Sequence, residues 1–327
     1  MRSRDISDEE FIHAWADCGG TPQGVADRLQ LPVRSVYRRR KMLSDRGVEL
    51  TSNPRSGREA APRWRDMPKG RAYEAQVDLK IDTGVAIVFN DAHWWPDQPK
   101  TVAHEALLLL TKELKPRAMF ANGDLLDGAR ISRHAPHGWA ELPTVKEELE
   151  VCQDYMCEIE RLLPRGCHKA WHMGNHCNRF DKALVAAAPE FGGVVERLED
   201  HFSRWTFSWS SRINDDVMVK HRHHNGVHAA YNNTLKGGCT IVTGHLHRLL
   251  VTPWSDYNRI RWGVDAGTLA EPDAPQFEYA ENNPSPHTSG FAVLTFKDGR
   301  LLPPELVSVV DNKAWFRSQC VFDGDKA

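Results

Sequence analysis

From residue 83 onward, one short apolar run after another ends in aspartate, asparagine or histidine. VAIVFN runs into Asp91-Ala-His93, AMFAN into Gly123-Asp124 and then Asp127, and HKAWHM into Gly174-Asn175-His176. VMVK is followed by His221-Arg-His223, and TIVT by Gly244-His245-Leu-His247. Between the first three runs lie helical patterns, TVAHEALLLLTKELKP and TVKEELEVCQDYMCEIERLL. Strands alternating with helices predict a layered α/β fold whose site lies at the carboxyl ends of the strands. Later strands are expected at RIRWGVDAG, FAVLTF and ELVSVV, with Asp298-Gly299 turning one hairpin.

In an extended chain residues i and i+2 lie on one side. Asp91 with His93, and His245 with His247, are therefore each expected to point two groups at one place. The same parity puts His221 and His223 on one face and leaves the choice between them open. Imidazole combined with carboxylate suits Mn, Fe or Zn better than Ca or Mg. One such pair alone is more often a capped turn or a satisfied histidine. Five in succession on strand ends point to a metal centre.

The series Asp91-x-His93, Gly123-Asp124-x-x-Asp127, Gly174-Asn175-His176, His221 and Gly244-His245-x-His247 resembles the calcineurin-like metallophosphoesterase superfamily, over roughly residues 83 to 310. The stretches GDLLDGARISR and GNHCNRFDKALVAAAPE resemble members common in bacteriophages and prophages. The resemblance implies a four-layer α-β-β-α sandwich over residues 81–327 and two divalent ions, with Mn the first choice and Fe, Zn or Ni as alternatives. One ion would be held by Asp91, His93, Asp124 and His247, and the other by Asp124, Asn175, His221 (or His223) and His245. Asp124 would bridge ions about 3.5 to 4 Å apart, whose shared hydroxide attacks the phosphorus in line. His176 would be the general acid, its tautomer fixed by a hydrogen bond to Asp127. Gly174 is expected to permit a tight turn that a side chain would obstruct. Two positions depart from the usual pattern: Cys177 stands where an acidic residue is common, and Arg222 where a glycine commonly follows the ligand. Cys177 is expected to fill space rather than bind metal.

Arg130, Arg133, Arg179 and His223 are candidates for gripping substrate phosphate, with His134 beside them. Trp94 and Trp95 are expected to close the core rather than stack on a base.

The N-terminal fifty residues read as a small helical unit, DEEFIHAWADC, TPQGVADRLQ and VRSVYRRRKMLSDRG, with Thr21 capping the second helix and Val33, Val36, Met42 and Leu43 facing inward. Arg34, Ser35, Tyr37, Arg38, Arg39 and Lys41 are expected to project from the third helix. The unit resembles a helix-turn-helix module, with this helix as the one that enters a major groove. Residues 51–80 read as a basic linker. Formal net charge is only −2, yet residues 28–71 carry 13 Lys or Arg against 4 Asp or Glu. That local surplus suits a polyanionic partner. Seven cysteines, without a paired framework, fit a reduced compartment, and no apolar run approaches a membrane span. A cytoplasmic, phage- or prophage-encoded protein is expected.

These features favour a phosphodiesterase or nuclease acting on DNA. The alternatives are a phosphomonoesterase or nucleotide hydrolase, and a DNA-binding regulator with a non-catalytic metal domain. Protein serine/threonine phosphatases resemble GDxVDRG and GNHE at the second and third motifs, where this chain has GDLLDGA and GNHC.

Overall fold

The structure, a computed structural model, describes residues 6–50, 73–134, 141–281 and 286–326. Contacts divide the chain into two compact units, Met1–Gly70 and Arg71–Ala327.

In the first unit, helices α1 (Asp8–Asp17), α2 (Pro22–Leu29) and α3 (Val33–Asp45) close on Phe11, Trp15, Val25, Val36 and Leu43. Ser7 caps α1 by accepting from the Glu10 amide. Thr21 does not cap α2; its hydroxyl instead donates backward to the Cys18 carbonyl, 2.8 Å away. Met42, expected inside, is exposed, while Leu43 is buried as expected. Arg39 is not a projecting side chain. It is half-buried over the Phe11 ring, pairs with Asp8 at 2.9 Å and donates to the Ile6 carbonyl, tying α3 to the start of α1.

The second unit runs β1 (Val77–Leu79), β2 (Gly84–Phe89), α4 (Val102–Leu114), β3 (Ala118–Ala121), α5 (Val145–Leu162), β4 (His168–His172), α6 (Cys177–Ala187), β5 (Thr206–Ser208), β6 (Ser211–Ile213), β7 (Val217–Val219), α7 (Ala229–Gly237), β8 (Thr240–Thr243), β9 (Leu249–Ser255), β10 (Ile260–Ala266), β11 (Gly290–Lys297), β12 (Arg300–Leu301), β13 (Glu305–Val310), β14 (Lys313–Phe316) and β15 (Gln319–Asp323). One sheet has the order β15-β14-β13-β11-β2-β3-β4-β5, with β12 beside β11, and the other β1-β6-β7-β8-β10-β9. The expected linker ends sooner than residue 80: Tyr73 is buried, and β1 pairs with β6. Residues 51–72 of that linker lie outside the described residues.

Alternation along the strands sorts the core into two layers. Ile87, Phe89, Met119 and Trp171 face α4 and α5, meeting Leu107, Leu110, Met156 and Ile159. Ala86, Val88, Phe120 and Ala170 face the second sheet, meeting Val217, Val219, Val242 and Val264. Helix α7 packs on the outer side of β8, β9 and β10. The expected four-layer sandwich is therefore present. β2, β3 and β4 run parallel in one sheet, and β7 and β8 in the other, so their carboxyl ends reach the rim together. His172 stitches the sheets there, its ring nitrogens 2.7 Å from Asn122 Oδ1 and 2.8 Å from Ser211 Oγ.

Candidate metal centre

The five strand ends meet. Asp91, His93 and His247 bring ligand atoms within 4.8 Å of one another, and so do Asp124, His221 and His245. Extended-chain parity is not what aims them. Asp91 (φ 50°), His93 (φ 42°), Asp124 (φ 53°), His245 (φ 71°) and His247 (φ 55°) all adopt left-handed backbone. Each such residue costs on the order of 1 kcal/mol and persists because its surroundings hold it. Tight left-handed turns after the strands, rather than strand alternation, bend the side chains back over the rim.

In the first cluster everything is fixed. Asp91 Oδ2 accepts from Asn90 Nδ2 (2.6 Å) and from the His245 amide (2.7 Å), which leaves Oδ1 facing His247 Nε2 at 3.1 Å and His93 Nε2 at 3.9 Å. His93 Nδ1 donates to Asp127 Oδ1 at 2.7 Å, so its Nε2 carries the free lone pair. Asp91, His93, His247, Asn90 and Asp127 are all buried. Burial opposes charge on Asp91, but His247 and His221 outweigh it and hold its carboxyl below the ordinary range.

The second cluster is half-open. Asp124 Oδ1 accepts from the His176 amide at 2.8 Å, and Oδ2 lies 2.9 Å from His221 Nε2, out of line for a hydrogen bond. His221 Nδ1 donates to the Asn122 carbonyl at 2.8 Å, which turns Nε2 inward. Burial works against a proton on His221, yet Asp124 and Asp91 lift it to about 9. Asn175 and His245 are only half-buried. His221 rather than His223 occupies the position: His223 is exposed and tilts against His224, with ring centroids 4.4 Å apart.

Glycine opens this geometry by allowing close approach. Gly174 has no left-handed φ, and it is the expected obstruction by a side chain that requires glycine. A Cβ there would sit 2.0 Å from Asp124 Oδ1. A Cβ on Gly244 would sit 2.5 Å from Asp91 Oδ2.

Between the clusters stands His176. Its Nδ1 lies 2.9 Å from Asp127 Oδ1 and 3.1 Å from the Asp127 carbonyl, and its ring meets His93 edge-on at 4.6 Å. Burial lowers its affinity for a proton, while Asp127 and Asp124 outweigh that and raise it. Arg179 Nη2 stands 3.3 Å from His176 Nε2, and Nη1 donates to the Asp127 carbonyl at 3.0 Å. Asp127 thus serves two imidazoles, of which only the His176 contact was expected. Cys177 is buried and its thiol is pushed up to about 12 by burial and Asp124, which suits the expected role of filler.

Several participants escape sequence reasoning. Glu148 is fully buried on α5 and accepts from the Gly128 (2.6 Å) and Ala129 (3.0 Å) amides, holding the turn behind Asp127. A glutamate at helical spacing with Cys152, Met156 and Ile159 on the buried face is the signal for it. His287 packs against His247 at 4.4 Å between centroids; a lone histidine in a loop carries no such signal. Arg130, expected at the phosphate, instead donates to the Leu142 and Pro143 carbonyls, so it clamps chain. Arg133, His134 and Arg179 do line a cleft beside Asn175 and His245. Trp94 is buried, with its ring against His104 and Tyr155, while Trp95 is half-buried.

Metal ions fit these residues. His93 Nε2, His221 Nε2 and Asn175 Oδ1 are buried with no hydrogen-bond partner, beside two carboxylates held ionised. Unpartnered lone pairs converging on negative charge are what a cation relieves. Two helix-flanked sheets, five motifs at one rim and two ligand clusters are what the sequence resemblance implies. The chain folds as the four-layer α-β-β-α sandwich that the sequence resemblance to calcineurin-like metallophosphoesterases implies. No protein-family model matches it. It is similar to the Gene 54 protein of Mycobacterium phage L5, 26% identical over 231 residues that span 62% of this chain and 88% of that one. It is also similar to the Gene 54 protein of Mycobacterium phage D29, 28% identical over 162 residues, 43% of this chain and 62% of that one. Among solved structures, Vacuolar Protein Sorting 29 from Cryptosporidium parvum matches at 14% identity and TM-score 0.40, covering 72% of this chain and 96% of that one. Pseudomonas putida nuclease MPE matches at 14% identity and TM-score 0.29, covering 67% and 86%. Likenesses this distant carry nothing about substrate.

Proposed function

We propose that this chain is a metal-dependent phosphodiesterase acting on DNA, with Mn as the working ion. The observation that carries the reading is the pair of ligand clusters, Asp91–His93–His247 and Asp124–His221–His245, with His176 standing between them. The first ion would be held by Asp91, His93, Asp124 and His247, the second by Asp124, Asn175, His221 and His245. Two ions there would supply an activated water and positive charge for the phosphoryl oxygens.

The rest falls to side chains. His176, raised toward its protonated form by Asp127 and Asp124, gives a proton to the leaving oxygen. Asp127 holds its Nδ1, so the ring presents Nε2 to the substrate. Once His176 is protonated, Nε2 and Arg179 are both donors and repel, which frees the Arg179 fork for a phosphate oxygen.

The N-terminal three-helix unit is the proposed DNA module, with Arg34, Ser35, Tyr37, Arg38 and Lys41 exposed on α3 and Arg39 retained as a tie to α1. Attachment to DNA raises the local concentration of substrate at the second unit. No helix among the described residues is long and apolar enough to cross a membrane.

The test uses metal-stripped protein reloaded with Mn, assayed on bis-p-nitrophenyl phosphate, p-nitrophenyl phosphate and end-labelled DNA beside an Asp124→Asn control. Cleavage of the diester and of DNA, absent in the control, is expected. Turnover of the monoester alone would make the chain a phosphomonoesterase. No turnover at all would favour a regulator.

A further inference from the structure

A cleft of about 540 Å³ opens directly on the second ligand cluster, with Asn175 and His245 in its wall. Four cationic side chains line the rest of it: Arg133 from the segment after β3, Arg179 and Lys182 from α6, and Arg222 from the segment after β7. Among the described residues no carboxylate lines it. Arg179 is occupied by the Asp127 carbonyl and His176, but among the described residues none of Arg133, Lys182 and Arg222 makes an ion pair. The neighbouring cleft on the His93 side has a different character. It is lined by Lys100 together with Glu271 and Asp273.

Three uncompensated cations held together repel one another, and a protein surface ordinarily intersperses both signs. One reacting phosphate, which the two proposed ions and Arg179 would already meet, does not need them. We propose that this cleft holds the phosphates of a nucleic-acid strand that flank the scissile one, entering across Asn175 and His245, with Arg133, Lys182 and Arg222 as their contacts. The inference rests on the phosphodiester reading of the adjoining centre and deepens it: the substrate is a polynucleotide, not a small ester.

A strand bound this way releases counterions, so its affinity falls with salt in proportion to the contacts made. The test compares the Mn-loaded full-length protein with the double variant Lys182→Gln/Arg222→Gln, neither position being a proposed metal ligand. Two substrates are used, a short single-stranded DNA oligonucleotide and bis-p-nitrophenyl phosphate. Metal content is measured in both proteins. On the oligonucleotide, kcat/KM is expected to fall about 30-fold or more, and the slope of its logarithm against log salt to flatten by about 1.4, two contacts at about 0.7 each. On the small diester the fall is expected to stay within about threefold, since that ester reaches only the centre. An equal fall on both substrates at full metal content, or an unchanged oligonucleotide rate and slope, overturns the cleft assignment.

Wild-type protein that turns over neither ester would instead remove the phosphodiester reading. The cleft is then decided by fluorescence anisotropy of the same oligonucleotide on both full-length proteins. A flatter salt slope and weaker binding in the double variant sustain it, and identical curves overturn it.

Discussion

The two halves of the centre are built from the same residue types but differ in closure. Around Asp91, His93 and His247 every side chain is buried and held by a partner: Asn90 and the His245 amide for Asp91, Asp127 for His93, and Asp91 for His247. Around Asp124, His221 and His245 the carboxylate and His221 are equally fixed, but Asn175 and His245 stand half-exposed beside a cationic cleft. The difference teaches where each half acts. In the proposed reaction the sealed half would position an ion and the open half would admit the phosphate ester.

The largest expected effect comes from the residue the halves share. Asp124→Ala should take metal content from about two ions per chain to near none and abolish diester hydrolysis, because both clusters lose a carboxylate. Elemental analysis of the reloaded variant reads this. Retention of one full equivalent would show that the halves are independent.

Gly174→Ala comes next. Its Cβ would meet Asp124 Oδ1 at 2.0 Å and the Asp124 amide at 2.7 Å, so backbone must move. A destabilisation of about 1–3 kcal/mol is expected in urea melts, together with weakened binding of both ions. Unaltered stability would mean that the loop yields freely.

How much of this is legible in the sequence depends on what each feature announces. The ligand set is legible because carboxylate, amide and imidazole recur where apolar runs stop, and strand ends in an α/β fold gather at one rim. The four layers are legible for the same reason, since Ile87 and Phe89 alternate with Ala86 and Val88. The manner of aiming is not. Left-handed backbone at five ligand positions is set by the surrounding loops, and nothing in an Asp or His codon position announces it. Neither does a side chain's prior engagement. Arg39 and Arg130 read as free cations and prove to be tied down, by Asp8 and by the Leu142 and Pro143 carbonyls. Strands β14 and β15 and the early start of the sandwich at Tyr73 depend on pairing partners far along the chain, which no local pattern carries.

Asymmetry between the halves is sharpened by Asp127→Asn. Loss of the carboxylate that orients His93 should weaken the ion of the first half about 10- to 100-fold, while the second half, whose His221 is oriented by the Asn122 carbonyl, retains its ion. Calorimetric Mn titration resolves the two steps. Equal weakening of both would contradict the separation.

The smallest effect concerns Glu148, behind the turn that carries Asp127. Burial raises its carboxyl to about 7 against the stabilising Gly128 and Ala129 amides. The folded state therefore holds a proton that the unfolded chain releases above about pH 4.5, so this group's contribution to stability is full below about 4.5 and falls until about pH 7. Glu148→Gln should remove that slope, and the difference between wild-type and variant Tm should shift steadily from pH 5 to pH 7 and then level. A difference that does not vary with pH would show that Glu148 keeps its ordinary value.

The most direct test of the account is a crystal of the full-length protein soaked in Mn and measured for anomalous scattering. Two peaks about 3.5 to 4 Å apart are predicted, one contacted by Asp91, His93 and His247, the other by Asn175, His221 and His245, with Asp124 between them. A single peak, or peaks away from these residues, would contradict it.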